Sequence, residues 1–167
     1  MGRGINARDI AFVFRCSATA TIAYALASSL GLAHPVWASI SGIIVSQERL
    51  DQTKSAVLWR FAGTIVGIVV AILAGGLIAS TGLGVAIQTG VSVAVCAGLV
   101  RRWPDLKVAM WTAPIVFFDR DTGGSLLMVG YWRGSEVILG GLVGTALHLL
   151  AEKAIARLER ARPDDSL

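Results

Sequence analysis

Charge is what this sequence has least of. Asp, Glu, Lys and Arg make up 16% of the 167 residues, against roughly a quarter in soluble domains. Residues 61–100 contain none of the four. That deficit excludes an ordinary soluble domain. Cysteine is scarce too: Cys16 and Cys96 both sit in apolar segments without a CxxC partner. This excludes a disulfide framework and leaves two small buried hydrophobes. The two histidines, His34 and His148, lack zinc-type spacing. Missing as well are a phosphate loop, a Ser with a nearby His and acid, and a carboxylate pair deep in an apolar run. No reactive group has a partner, so enzyme chemistry, a metal and a cofactor are not expected. The net charge of +4 is confined to loops and tails, which argues against a nucleic-acid partner and makes the charges reporters of topology.

What is present is hydrophobic: 54% of the chain, with a mean hydropathy of +0.68. Residues 61–100, as one helix, would be about 60 Å long, twice the ~30 Å hydrocarbon core. They must therefore cross twice, turning near Ser80, Thr81 and Gly82. The expected partner is the lipid bilayer, and the expected fold is an all-α integral membrane protein with about six transmembrane helices.

In order, residues 1–9 form a basic leader and 11–32 a first span interrupted by Arg15, placed to snorkel. Ala25-Leu26-Ala27 resembles a signal cleavage site, but Arg15 breaks the apolar core that a signal needs. Residues 36–45, entered through Pro35, form a short second span and 46–60 a polar connector. The third and fourth spans are 61–79 and 82–100, followed by a basic loop with Pro104. The fifth, 108–118, is again short and holds Pro114. Residues 119–136 read as a polar loop, 137–154 as the sixth span, and 155–167 as a charged cytoplasmic tail. Two readings of the second span stay open. It is either a half-length piece of a discontinuous helix or a longer helix running through Gln47 and Glu48 into the headgroups.

With the amino terminus inside, six crossings put twelve Lys and Arg on the inner side. Only Arg120 and Arg133 fall outside, and Arg15 is intramembrane. The bias predicts cytoplasmic termini. Trp59, Trp103 and Trp132 fall at span ends, as interfacial anchors would.

A weak internal repeat runs through the chain. Trp37 and Trp111 are 74 apart, Trp59-Arg60 recurs as Trp132-Arg133 at 73, and Gly67 and Ala71 recur as Gly140 and Gly144. Three crossings per unit would insert the second unit upside down. The result is two three-helix inverted-topology repeats, about 10–80 and 82–154, with short second and fifth spans. Gly63, Gly67, Ala71, Gly140 and Gly144 are expected to permit close helix packing. Arg60 and Arg133 are candidates to hold an anion or, alternatively, to anchor in the headgroups. Ser39, Ser41, Trp111 and Thr112, on the short spans, are candidates to line a midplane site or to bond their own preceding turns. The acidic groups Glu48, Asp51, Asp119, Asp121 and Glu136 all read as connector or span-edge residues, which predicts no proton relay through the membrane centre.

Trp37, Ile43-Ile44-Val45 with Gln47, Arg60 and Gly63-Thr64-Ile65-Val66-Gly67 together resemble the fusaric acid resistance (FUSC-like) membrane domain of the aromatic acid exporter superfamily. The likeness extends over about residues 10–150. It implies an inner-membrane exporter of aromatic carboxylates or similar amphipathic organic anions. On that reading Arg60 and Arg133 would attract the carboxylate, and Trp37 and Trp111 would stack on the ring. Larger family members carry a soluble domain and a second membrane half. A transport unit built from this chain is thus expected to need a homodimer or a second membrane subunit. The alternative is a non-transporting accessory or scaffold subunit.

Overall fold

The computed structural model describes residues 7–46, 50–120 and 125–161. Gln47, Glu48, Arg49 and Asp121, most of the expected basic leader and the tail from 162 onward lie outside the described residues. Among the described residues there are six α-helices and no strand: α1 (Ala7–Ser29), α2 (Pro35–Val45), α3 (Leu50–Ala79), α4 (Val85–Arg102), α5 (Ala109–Arg120) and α6 (Leu126–Ala161). A 3₁₀ turn, Pro104–Val108, leads into α5.

The breaks have local causes. Gly31 takes a left-handed φ of 69°. The Leu32 N–H then reaches the Ala27 carbonyl and the Gly31 N–H the Ser28 carbonyl, a paired bond pattern that ends α1. Pro35 starts α2 where its missing N–H costs nothing. Gly82, with φ 71°, turns the chain between α3 and α4. Pro104 opens the 3₁₀ turn.

Four helices are long and apolar enough to cross a membrane, over Arg8–Ser29, Thr53–Ile78, Val85–Arg102 and Leu126–Arg157. α2 and α5 have 11 and 12 residues; at about 16–18 Å each they reach only halfway through the hydrocarbon. Large apolar side chains cover the outside of the bundle: Phe14 is 76% exposed, Leu77 75% and Phe118 78%. In water such a surface would be a liability; against lipid it is the required one.

Two expected connectors are absent. The segment 46–60 was expected as a polar link, yet Leu50 already begins α3 and Arg60 sits in its third turn. The segment 119–136 was expected as a loop, yet Leu126 begins α6, which carries Arg133 and Glu136 inside it. The physical reason is the same twice. Helical backbone bonding continues past a charged side chain when that side chain turns inward, and both arginines are buried.

Each short helix packs one face against long helices and leaves the other exposed. α2 packs on α6 and α1, and α5 on α3 and α4, while α3 and α6 cross each other. Contacts rise together along α2 and α6. Ser41 donates to the Val137 carbonyl at 3.2 Å, Gly140 meets Ala38 and Gly42, and Gly144 meets Gly42 and Val45. α5 runs along α3 in the same sense: Gly63 meets Val108, Gly67 meets Ala109 and Thr112, and Gly75 meets Phe117. A Cβ on Gly140 would land on the Ala38 carbonyl oxygen. The backbones approach this closely only because nothing stands between them.

Candidate functional site

α2 gathers the site. Trp37 and Ser41 stand one turn apart on it, about 6 Å along the axis. The Arg133 guanidinium, from α6, lies over the Trp37 ring at 4.1 Å. The Arg60 Nε, from α3, approaches the Ser41 hydroxyl at 3.5 Å, a long contact. Both arginines are fully buried, 2% and 1% exposed. Arg60 Nη1 and Arg133 Nε and Nη1 have no hydrogen-bond partner. Arg60 makes no ion pair with any described residue. The charges that act on Arg133 are those of Arg60, Glu136 and Asp119.

Around Arg133 there is a second layer. Glu136, one turn further along α6 and 1% exposed, accepts the His34 backbone N–H at Oε1, 2.8 Å. The His34 ring Nδ1 stands 4.0 Å from Glu136 Oε1 and 4.0 Å from Asp119 Oδ2 of α5. One imidazole thus bridges two buried carboxylates at the start of α2.

Two clefts approach this centre from opposite ends of the bundle. One, of about 480 Å³, is lined by Ile44, Ser55, Ala56, Trp59, Arg60, Asp105, Lys107 and Val108. It opens where α3 and α5 begin. The other, of about 450 Å³, is lined by Trp37, Val85, Thr89, Pro114, Ile115, Phe118 and Asp119, where α4 begins and α5 ends. Arg60 forms part of the first wall. Trp37, carrying Arg133 on its ring, forms part of the second. The first cleft joins an aromatic ring and two cations to one carboxylate; the second is largely apolar and aromatic. Together these walls suit an amphipathic anion.

Of the residues singled out in the sequence, Arg60, Arg133, Trp37 and Ser41 lie together here. The other three do not. Ser39 donates to the Ala20 carbonyl of α1 at 2.7 Å. Thr112 bonds the Val108 carbonyl, at the end of the 3₁₀ turn that leads into its helix, at 3.0 Å and packs on Gly67. Trp111 is 41% exposed on the outside of α5. Glu136 and Asp119, read as connector or span-edge residues, are buried beside Arg133, and His34, read only as an isolated histidine, stands next to both. Glu136 had one sequence signal, its place three residues after Arg133; Asp119 and His34 had none.

A separate polar contact lies towards the ends of α1 and α6 that carry the termini. Thr53 Oγ1 and His148 Nδ1 are 2.7 Å apart, with Glu152 3.7 Å from the other ring nitrogen. It ties α3 to α6.

Long apolar helices packed around two half-length ones, with Arg15, Arg60, Arg133 and Glu136 turned inward from the long helices, define a multi-pass helical membrane protein. The chain belongs to the fusaric acid resistance protein-like family, whose model matches residues 22–155. No curated protein and no solved structure matches it.

Proposed function

We propose that this chain is a carrier subunit that moves aromatic carboxylates or similar amphipathic organic anions out of the cytoplasm across a bacterial-type inner membrane. It does so as a homodimer or with a second membrane subunit. One observation carries the reading: Arg60, buried in a membrane-spanning helix, has an unpartnered guanidinium nitrogen and forms part of a cleft wall. Burying a cation costs several kcal/mol unless an anion and hydrogen bonds compensate. Among the described residues no carboxylate pairs with Arg60, so a bound anion supplies the missing charge. Trp59 in the same wall offers a face to an aromatic ring.

The halves α1–α3 and α4–α6 are read as an inverted-topology repeat. In support, each half runs long helix, short helix, longest helix. Ala38 and Ser41 meet Gly140 as Ala109 and Thr112 meet Gly67. The two clefts then serve as alternate entrances to one centre.

The test is flux. Purified protein is reconstituted into liposomes loaded with labelled benzoate, and release is compared with empty liposomes and with the Arg60→Ala, Arg133→Ala double variant. Saturable release, reduced about tenfold or more in the variant as befits loss of charge-assisted bonds, is the expected result. Release no faster than from empty liposomes leaves the accessory-subunit reading in its place.

A further inference from the structure

Resting on the carrier reading, we infer that Glu136, seated between Arg133, Asp119 and the His34 backbone, is a proton-binding site, and that the proton is the second ligand taken up with the organic anion. Arg133 and Glu136 share one face of α6, a turn apart. Asp119 presents a second buried carboxylate from α5, 8% exposed, and the two acids are joined through one imidazole at 4.0 Å from each. The charges that act on Glu136 are Arg133 and Asp119; His34 faces it from the start of α2, and Arg60 on α3 acts on Arg133. On α1, the charged side chain facing α6 is Arg15, which acts on His148 instead. Among the described residues these are the charges that act on this centre.

The arrangement is competitive. With Glu136 ionised, Arg133 has a counter-charge inside the protein, and an entering carboxylate meets two fixed negative charges. With Glu136 protonated, Arg133 is left with the Trp37 face and two unpartnered nitrogens, and an anion becomes its counter-charge. Oε1 already accepts the His34 N–H, which leaves Oε2 to take the proton from water. The neutral acid keeps that backbone bond, so protonation changes the charge without dismantling the N-terminus of α2. A monocarboxylate bound in this way arrives with one proton and no net charge.

Binding of labelled benzoate to the detergent-purified protein, measured by equilibrium dialysis from pH 6 to 8.5, tests this. The ligand itself stays ionised throughout, since carboxylic acids titrate near pH 4. Uptake of one proton per anion makes the affinity fall by about tenfold per pH unit above the titration point of the site. Glu136→Gln retains an acceptor for the His34 N–H and removes the ionisation. It is expected to bind at the low-pH affinity across the whole range, whereas Asp119→Asn keeps the slope. A flat wild-type profile overturns the coupling and leaves the carrier intact. An unchanged slope in Glu136→Gln places the proton on another group and overturns the assignment. No binding at any pH overturns the carrier reading and this inference together. The wild-type profile decides the coupling even where the variant does not fold.

Discussion

Arg60 illustrates what a buried, uncompensated cation does to a protein at the scale of one residue. A guanidinium at the headgroups would be nearly neutral to stability. One at 2% exposure with an orphan nitrogen is a standing cost, and on the proposed reading the anion offsets it. Arg60→Met, similar in bulk and uncharged, should therefore raise the melting temperature of the ligand-free protein in detergent. It should also abolish the further rise that benzoate produces in the wild type. Thermal unfolding with and without benzoate reads both, and a fall in the ligand-free melting temperature would count against the site. Trp37 makes the complementary case. Trp37→Leu removes the ring beneath Arg133 and should weaken benzoate binding by several-fold to about thirtyfold, the range of a partly desolvated cation–π contact; Trp37→Phe should recover part of it. Arg60 and Arg133 were singled out in the sequence because the Trp-Arg pair recurs, and Trp37 through the same repeat that picked Trp111. Glu136 and Asp119 were not, because a carboxylate near the edge of an apolar run looks the same whether it points to water or to another helix. Trp111 misled for a related reason. The helix contacts match Ala38 with Ala109 and Ser41 with Thr112, 71 apart, which pairs Trp37 with Val108 and leaves Trp111, 74 on, one turn beyond the matching place.

At the scale of the helix, glycine separates packed faces from open ones. Gly140 and Gly67 are closed off by the neighbouring short helix, while Gly90 and Gly98 on α4 have nothing within 4 Å of an added Cβ. Gly140→Ala and Gly67→Ala should each destabilise by about 1–3 kcal/mol through overpacking. Gly90→Ala should be neutral or slightly stabilising, since alanine favours helix by up to about 1 kcal/mol. Denaturant titration in mixed micelles measures all three, and equal effects at Gly140 and Gly90 would sink the distinction. The packed glycines face helices of their own chain, so these substitutions act on the fold itself. The short elements were readable from Pro35, Pro104 and the length of the apolar runs. The true starts of α3 and α6 were hidden, because a window that seeks uncharged residues stops at Arg60 and Glu136 although the helices do not.

For the whole molecule, orientation is the open physical quantity, and charge predicts it. Ser80 lies exposed between α3 and α4, and Arg101 lies exposed at the end of α4. In a background with Cys16 and Cys96 replaced by alanine, Ser80→Cys should react with a membrane-impermeant maleimide on intact cells. Arg101→Cys should react only after permeabilisation. The reverse pattern would place both termini outside.

The hydrogen bonds that seat α2 and α3 on α6 each span more than half of the chain. His34 to Glu136 is a separation of 102 residues, Ser41 to Val137 of 96 and Thr53 to His148 of 95. During synthesis, α2 therefore enters the bilayer long before the helix that completes its packing has been translated. Until α6 arrives, a half-length helix with unfinished contacts has to wait, in lipid, beside a buried arginine. The nascent chain is then most exposed to misassembly and to quality-control proteases between the third helix and the sixth. A stalled translation product ending before Leu126 would display that vulnerability as rapid turnover.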